Sequence, residues 1–536
     1  MIRAIGFQNA KVHYSLGMLL LMISSVATAM QPMFVGQITE AFAGQKPVVV
    51  TTVLFLLAVF VVDALGTAGS KLVMGIASER FVFNVRNSVA RRILHTNHRS
   101  FQSFDKGDLN NRVVEDIPAI QRPYFTTYPE LLGAAIVALL CFIGMVFTSW
   151  TLALVLIAVL TAFGALLLIV LRSIRTAAET SRVAESAYSS RLYELLYNFV
   201  PVKSLGAENW VLRALNRRAE SSRVNGVRLV GVSSLILPII NMATQVSLVG
   251  VLLLGGVQIG NEDLTPAALA TFFLYLVYMI SPLVTLGLSL GELREAAASH
   301  ARLQVIYETL PEDETQPQYR FSSGGPGATF RSHNLAYRYQ GGERVAIPDI
   351  SIEGPGIYCL VGSNGAGKST LFLLMNGLHV PTEGSLSWNG KRIHEGLSSD
   401  LRRFVYLMPQ SRDVLSTTVR DNILMGAVIE DAEIFALAFR LGVSNFLEGL
   451  PDGLDTQIGH EGVELSGGQK QLLYVFHALL LRPPVILLDE FASNLDRDSK
   501  AAISDALTEL ATESLIIVIT HDKELLTRFP RHITLG

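Results

Sequence analysis

The chain has 536 residues and a mass of 58.4 kDa; half of its residues (50%) are hydrophobic, and its mean hydropathy is +0.39. Charged residues make up only 17%, against about 25% in soluble domains, which excludes a fully soluble or disordered protein. The 43 basic and 46 acidic residues give a net charge of −3, which provides no general field for binding nucleic acid. The composition therefore indicates a multidomain membrane protein.

Six apolar runs occupy the N-terminal half, and each is long enough for the about 20 helical residues that cross a bilayer. They lack strand-like alternation, and exposed backbone cannot stay unpaired in lipid, so we expect six helices with both chain termini on one side. The runs cover residues 15–36, 48–66, 130–149, 151–171, 233–257 and 266–291.

The connections after the second and the fourth run are long and rich in Arg and Lys, whereas the turns after the third and the fifth run carry no basic residue. Since cytoplasmic loops carry the positive excess, these two connections and the C-terminal half are predicted to be cytosolic. Both connections keep helical periodicity with little Gly or Pro, which predicts helices that continue out of the membrane.

A second interpretation of the N-terminus is a cleaved signal peptide, with Arg3 and Lys11 before an apolar stretch ending in Ala27-Thr28-Ala29. Its removal would leave five spans and place the C-terminal half outside the cell. We therefore favour an uncleaved first span.

The mixture of Pro, Gly and acidic residues in 308–327 is typical of a linker. Short β-branched runs alternating with helical stretches follow it, which is α/β order. We predict an all-α transmembrane domain with six helices over residues 1–307, a linker over 308–327 and an α/β P-loop domain over 328–536.

A complete GxxxxGK[ST] loop lies between a strand-like run and a helical run. Its glycines allow consecutive backbone N–H groups to surround phosphates at a helix N-terminus, its lysine adds a positive charge, and its final hydroxyl ligates Mg²⁺. The candidate nucleotide ligands are Gly362, Ser363, Asn364, Gly365, Ala366, Gly367, Lys368, Ser369 and Thr370.

A second apolar strand, beginning at Val485, ends in Asp489 and Glu490. At the carboxyl end of such a strand, Asp489 can hold Mg²⁺ through water and Glu490 can polarise an attacking water molecule. An apolar strand that ends in Asp-Glu is also common in proteins where the pair has no catalytic role, so the pair alone leaves both interpretations open.

Between these two motifs the chain reads Leu-Ser-Gly-Gly-Gln over residues 465–469. With this pentapeptide the chain resembles the ATP-binding cassette (ABC) superfamily, for which it is the signature. The resemblance implies that two chains enclose two ATP molecules. The residues that would contact the ATP bound to the other subunit are Ser466, Gly467, Gly468 and Gln469.

Further motifs of the family occur in the expected order. Gln410 resembles the glutamine that connects Mg²⁺ to the membrane part, residues 493–496 resemble the D-loop, and His521 matches the switch histidine. Tyr339 resembles the aromatic residue that stacks on adenine. On this resemblance, Glu490, His521 and Gln410 are catalytic, and Ser369, Gln410 and Asp489 bind the metal.

Six spans followed by one cassette resemble an exporter-type (type IV) half transporter over essentially the whole chain. Segments 104–112 and 194–208 resemble the regions of the family's two coupling helices. The stretch 456–462, Thr-Gln-Ile-Gly-His-Glu-Gly, departs from the family's usual TEVGERG.

The resemblance implies an ATPase coupled to export of a small hydrophobic, peptide or lipid-like substrate. An importer of metal chelates or siderophores on the same fold, and an ATP-gated channel or sensor, are the alternatives. The expected cofactors are ATP and Mg²⁺. We expect a homodimer, with a heterodimer as the alternative, in the lipid bilayer of the bacterial cytoplasmic membrane, with the cassette in the cytosol and no nucleic-acid partner.

Polar residues within the spans are the candidates for substrate contact. Asp63 stands out, because an acid inside a membrane helix normally faces a cavity or a partner. Pairing with Lys71, two turns further on, is the structural alternative. The same path could include Gln31, Asn241, Gln245, Tyr275 and Tyr278.

Overall fold

The computed structural model describes residues 2–43, 50–104, 106–309, 327–339, 341–393, 398–459 and 462–535. Within them the chain forms two compact units. The first comprises Met1–Ala90 and Gly107–Tyr307, and the second comprises Arg91–Lys106 and Glu308–Gly536. Most of the expected linker, residues 310–326, lies outside the described residues.

The described residues of the N-terminal part are almost entirely helical, with short turns between the helices. Six of its helical segments are long and apolar enough to cross a membrane, which confirms the predicted spans. Described in chain order, the helices are α1 (Ile2–Gly6), α2 (Lys11–Ala43), α3 (Val50–Leu94), α4 (His98–Gln102), α5 (Lys106–Asn111), α6 (Ile117–Arg122), α7 (Tyr128–Thr148), α8 (Trp150–Tyr197), α9 (Phe199–Ser204), α10 (Glu208–Ser233), α11 (Ile236–Gly260) and α12 (Pro266–Glu308).

The helices extend well beyond the apolar runs, as the periodicity of the connections predicts. α3 continues to Leu94 and α8 to Tyr197, and two π-helical stretches, Arg112–Asp116 and Pro123–Thr127, join α5, α6 and α7 into one helical path. The short helix α9 lies within the 194–208 segment, between α8 and α10. Each connection is thus helical over most of its length.

Two kinds of contact stabilise the membrane unit. Its apolar core includes Cys141, Leu152 and Phe272, all fully buried. Outside this core the buried carboxylate of Asp116 is paired with Arg302 and accepts a hydrogen bond from Ser299 Oγ at 2.9 Å. Pairing of this kind compensates a charge removed from water.

The C-terminal part contains two β-sheets. Its strands are β1 (Thr329–Arg338), β2 (Arg344–Ile347), β3 (Ser351–Glu353), β4 (Gly356–Gly362), β5 (Glu383–Trp388), β6 (Lys391–Arg392), β7 (Val405–Met408), β8 (Val485–Asp489), β9 (Leu515–Ile519) and β10 (His532–Leu535). The first sheet is antiparallel, with the order β2-β1-β5-β6 and β3 paired to β1; the second is parallel, with the order β10-β4-β9-β8-β7.

Helices surround the parallel sheet. They are α13 (Lys368–Met375), α14 (Ser398–Phe404), α15 (Val419–Leu424), α16 (Asp431–Arg440), α17 (Ser444–Glu448), α18 (Gly467–Leu481), α19 (Arg497–Leu510) and α20 (Lys523–Arg528). Every residue of β8 and β9 is buried, as expected for parallel strands covered on both faces. Because parallel strands share one direction, the loops after β4, β7, β8 and β9 lie at the same sheet edge, and there the candidate residues are found.

Candidate functional site

The glycine-rich loop forms the turn from β4 into α13. Gly367 is the N-cap of α13 and has φ of +87°, a conformation that favours glycine. A Cβ atom at this position would lie 2.5 Å from Val345 Cγ1, so glycine is required on steric grounds as well. Lys368 Nζ donates hydrogen bonds to the carbonyl oxygens of Gly362 (2.7 Å) and Ser363 (2.9 Å). The loop thus presents backbone N–H groups and a cation at a helix N-terminus, which suits a polyphosphate.

Asp489, the last residue of β8, contacts this loop directly. Ser369 Oγ donates a hydrogen bond of 3.0 Å to Asp489 Oδ2. The carboxyl group is only 6% exposed, and its burial raises its pKa, while the hydrogen bond from Ser369 opposes this shift. One buried carboxylate beside a hydroxyl is a donor set suited to Mg²⁺, which takes one or two protein oxygens alongside nucleotide phosphates and water.

Glu490 follows Asp489 in an unusual backbone conformation. Its φ of +52° lies in the left-handed region, which is uncommon for a residue with a long side chain. Its N–H donates to the carbonyl oxygen of Ile519 at 2.9 Å. Strain of this type is often found at functional sites, where the surrounding structure holds it in place.

Arg412 is a residue of this site that the sequence motifs do not identify. Its Nη2 donates hydrogen bonds to the backbone carbonyl oxygens of Asp489 (3.1 Å) and Glu490 (2.6 Å). Burial lowers the pKa of its guanidinium, and the nearby carboxylates of Glu490 and Asp489 oppose that shift. Arg412 thus fixes the backbone that carries both acids; its position two residues after Gln410 is the only sequence signal for this contact.

Gln410 and His521 reach the same edge of the sheet through strand register. Met408 of β7 pairs with Leu488, and Ile519 of β9 pairs with Asp489. Gln410 and His521 each follow their strand by two residues, and both side chains are exposed. The register therefore brings these residues to the loops on either side of Glu490.

The signature segment forms the N-terminus of α18. Ser466 is the N-cap and forms a capping box with Gln469: the Ser466 N–H donates to Gln469 Oε1 at 2.8 Å, and the Gln469 N–H donates to Ser466 Oγ at 3.3 Å. A Cβ atom on Gly468 would lie 2.6 Å from the carbonyl oxygen of Asn494. The glycine thus allows α18 to pack directly on the 493–496 loop.

Tyr339 lies at the end of the antiparallel sheet and contacts the helix that follows the phosphate loop. Its hydroxyl is 2.9 Å from Thr370 Oγ1, and its ring packs edge-on against His379. His379 is 1% exposed, stacks on Tyr337 with a 4.2 Å centroid separation, and has no hydrogen-bond partner for either ring nitrogen among the described residues. Burial lowers the pKa of His379 to about 4.

Within the membrane unit, Asp63 and Gln31 come together with Tyr278, as expected. The structural alternative, a pair between Asp63 and Lys71, is not formed: among the residues the structure describes, Asp63 has no ion-pair partner, and its carboxylate accepts hydrogen bonds from α2. A residue eight positions along a helix lies about 12 Å away along the axis, too far for a direct pair.

The other polar residues of the spans lie elsewhere. Asn241 and Gln245 are exposed, whereas Tyr275 is buried in the apolar core. In the divergent 456–462 stretch, His460 and Glu461 lie outside the described residues.

A six-span helical body and a phosphate-binding loop joined to a buried acidic strand end define a membrane-embedded P-loop ATPase. Comparison with known proteins identifies the family. Residues 14–283 match the ABC transporter transmembrane region, and residues 348–493 match the ABC transporter cassette. The chain belongs to the ABC transporter family and is an ATP-driven half transporter of the exporter type, which works as one half of a dimer in a lipid bilayer. The predicted fold class is confirmed.

Curated relatives include bacterial exporters. The chain is 27% identical over 474 residues to an ATP-dependent lipid A-core flippase of Vibrio cholerae; the matched residues cover 87% of this chain and 80% of the relative. It is 28% identical over 451 residues to the flippase of the same name from Haemophilus influenzae (83% and 76%). It is 25% identical over 478 residues to a multidrug resistance ABC transporter ATP-binding and permease protein of Lactococcus lactis (88% and 80%).

Proposed function

We propose that two copies of this chain form a homodimer that exports an amphipathic, largely apolar molecule from the bacterial cytoplasmic membrane, with both cassettes in the cytosol. The observation that carries the proposal is the contact between Ser369 and Asp489, which joins the phosphate loop to the acidic strand end in a chain with six spans. The bacterial relatives support a location in the bacterial cytoplasmic membrane. The basic residues in the connections after the second and fourth spans support an orientation with the cassettes in the cytosol.

In the proposed hydrolytic site each of the residues described above has a separate role. Lys368 and the loop amides bind the phosphates, and Tyr339 stacks on adenine. Ser369, Asp489 and Gln410 would hold Mg²⁺, which would supply positive charge to the phosphates of the nucleotide. Glu490 accepts a proton from the attacking water, and His521 contacts the terminal phosphate.

The dimer completes this site with the signature of the other copy. Ser466 and the amides after it lie at the N-terminus of a 15-residue helix, where anions are favourably bound. Since one chain carries both the phosphate loop and the signature, two identical copies suffice to build two complete sites. This supports a homodimer.

The apolar character of the substrate is supported by a cleft inside the membrane unit. A cavity of about 140 Å³ lies among α8, α11 and α12 and is lined mainly by apolar side chains such as Phe163, Ile240 and Met279. Ser247 Oγ lines it and has no hydrogen-bond partner among the described residues. A lipid-like substrate also agrees with the relatives that are named as lipid A-core flippases.

Transport in vesicles of both orientations tests the proposal. ATP added outside inside-out vesicles should drive accumulation of a fluorescent amphipathic lipid analogue in the wild type, and the Glu490→Gln variant should show none. Right-side-out vesicles should accumulate nothing under the same conditions. Accumulation only in right-side-out vesicles loaded with ATP would indicate import, and an ATP-dependent ion current without accumulation would indicate a channel.

A further inference from the structure

The carboxylate of Asp63 is the centre of a polar cluster between the first two spans. Asp63 lies half-buried in α3, and Ser24 Oγ (2.6 Å) and Thr28 Oγ1 (3.0 Å) of α2 contact its Oδ1. Gln31 Nε2, one turn further along α2, donates to Oδ2 at 2.9 Å. The two oxygens of one carboxylate therefore bind three side chains of the neighbouring helix.

The cluster extends to a third span and has a fixed orientation. The Tyr278 hydroxyl of α12 donates to Gln31 Oε1 at 2.5 Å, so the Gln31 amide turns its Nε2 toward Asp63. Gly66 permits the close approach of α2 and α3, because a Cβ atom there would lie 3.0 Å from Ser24 Cβ. Ser24 and Gln31 are each 4% exposed, so their rotamers are held by packing.

The part of the chain that the structure describes provides no cation beside this cluster. Among the described residues no Lys, Arg or His lies within ion-pair distance of Asp63, and every group that binds it is a neutral hydroxyl or amide. An uncompensated carboxylate in a membrane span is costly and marks a functional site. Phe60, one helical turn before Asp63 on the same side of α3, is an exposed apolar side chain, so the carboxylate adjoins an exposed aromatic ring.

We propose that Asp63, oriented by Ser24, Thr28, Gln31 and Tyr278, binds the positively charged group of an amphipathic organic cation, which is the substrate class of this transporter. The inference rests on the proposed function. A bulky cation of diffuse charge can pair with the carboxylate while the hydrogen bonds stay intact, and its apolar groups can contact the exposed ring of Phe60. A small metal ion would instead require the hydroxyl and amide donors to turn away from the carboxylate.

Binding of tetraphenylphosphonium to the full-length protein in lipid nanodiscs tests this inference, with empty nanodiscs as the background. Tetraphenylborate has nearly the same shape and the opposite charge, and it separates charge recognition from apolar partitioning. We expect tetraphenylphosphonium to bind saturably, and we expect tetraphenylborate not to compete with it. Asp63→Asn should weaken binding at least about tenfold.

Two further variants separate charge from structure. Gln31→Glu combined with Asp63→Asn moves the carboxylate across the same hydrogen bond and should restore cation binding. Glu40→Gln removes an exposed acid from the end of α2, outside the cluster, and should leave binding unchanged. If Asp63→Asn fails to yield a monodisperse protein, the exchanged double variant provides the decisive measurement.

The inference is overturned if the wild type shows no saturable cation binding, if Asp63→Asn binds the cation as tightly as the wild type, or if the exchanged variant is folded and does not bind. ATP hydrolysis by the same wild-type sample distinguishes these failures from failure of the proposed function. If the sample hydrolyses ATP but does not discriminate cation from anion, the proposed role of Asp63 is wrong and the proposed ATPase function stands.

Discussion

Ser369 of the phosphate loop and Asp489 at the end of β8 are joined by a hydrogen bond of 3.0 Å, although they lie 120 residues apart in sequence. The contact fixes a hydroxyl and a buried carboxylate side by side at the edge of the parallel sheet. It is the geometry from which Mg²⁺ binding and hydrolysis in this chain are inferred.

Ser369 is predicted to be a ligand of Mg²⁺. Ser369→Ala removes one oxygen ligand and leaves the loop glycines in place, so the Mg²⁺ concentration for half-maximal ATPase activity should rise about tenfold. Ser369→Thr keeps the hydroxyl and is the matched control. A Mg²⁺ titration of activity at fixed ATP measures the effect; identical curves for alanine and serine would exclude Ser369 as a ligand.

Arg412 is predicted to be a positioning residue for hydrolysis. Arg412→Met removes the two hydrogen bonds to the backbone of Asp489 and Glu490, so kcat should fall about 10- to 100-fold while the KM for ATP stays nearly constant. Arg412 lowers the pKa of the Asp489 carboxyl, so its loss should raise that pKa further and move the acidic limb of the pH–kcat profile to higher pH.

The conservative Arg412→Lys variant should retain part of the wild-type activity, since an ammonium group can still donate to a carbonyl oxygen. A methionine variant with an unchanged pH profile and an unchanged kcat would show that Arg412 does not position the Asp489–Glu490 segment.

Gly468 is predicted to be required for ATP hydrolysis, because α18 packs on the 493–496 loop at this position. Gly468→Ala would place a Cβ atom 2.6 Å from the Asn494 carbonyl oxygen, so this loop must shift. We expect ATP binding, measured with a fluorescent analogue, to be retained and hydrolysis to fall at least about tenfold. Gly231→Ala, at a helical glycine with open space around it, is the control and should keep full activity.

His379 should make stability depend on pH. Because burial keeps its ring neutral, its pKa falls from 6.5 to about 4, and His98 and Arg99 of the adjoining segment add to the shift. Between these values the unfolded chain binds the extra proton, so stability is full above pH 6.5 and decreases as the pH falls toward 4. The loss at about pH 5 should be on the order of 1–2 kcal/mol.

Thermal denaturation of the full chain at neutral pH and at about pH 5 measures this effect. His379→Phe keeps an aromatic ring against Tyr337 and removes the titrating group, so its midpoint should decrease less on acidification than that of the wild type. Equal decreases in the two proteins would assign the acid sensitivity to other residues.

Much of the fold and of the nucleotide site could be predicted from sequence because the signals are local. A membrane span needs only about 20 consecutive apolar residues, and the phosphate loop is one uninterrupted motif. The acidic pair at Asp489 is likewise recognised from the apolar strand before it. Each of these features depends on neighbouring positions in the chain.

Contacts between distant segments could not be predicted in the same way. Arg412 binds backbone carbonyls 77 and 78 residues away, and no composition or periodicity specifies that contact. For Asp63, the sequence indicated a cavity or a partner and offered Lys71 only as the alternative; it did not identify the three hydrogen-bonding side chains that packing of α2 on α3 brings to the carboxylate. Helix–helix packing determines which faces meet, and a single sequence does not reveal it.

The central claim is that this chain alone, as a homodimer, hydrolyses Mg²⁺-ATP with Glu490 as the general base. The most direct test is the Mg²⁺-ATPase activity of the full-length chain in lipid nanodiscs beside Glu490→Gln. We predict steady hydrolysis by the wild type, a decrease of at least about 100-fold in the variant, and unchanged ATP binding in both. Equal activities in the two proteins would contradict the role of Glu490, and an inactive, monomeric wild type would contradict the homodimer.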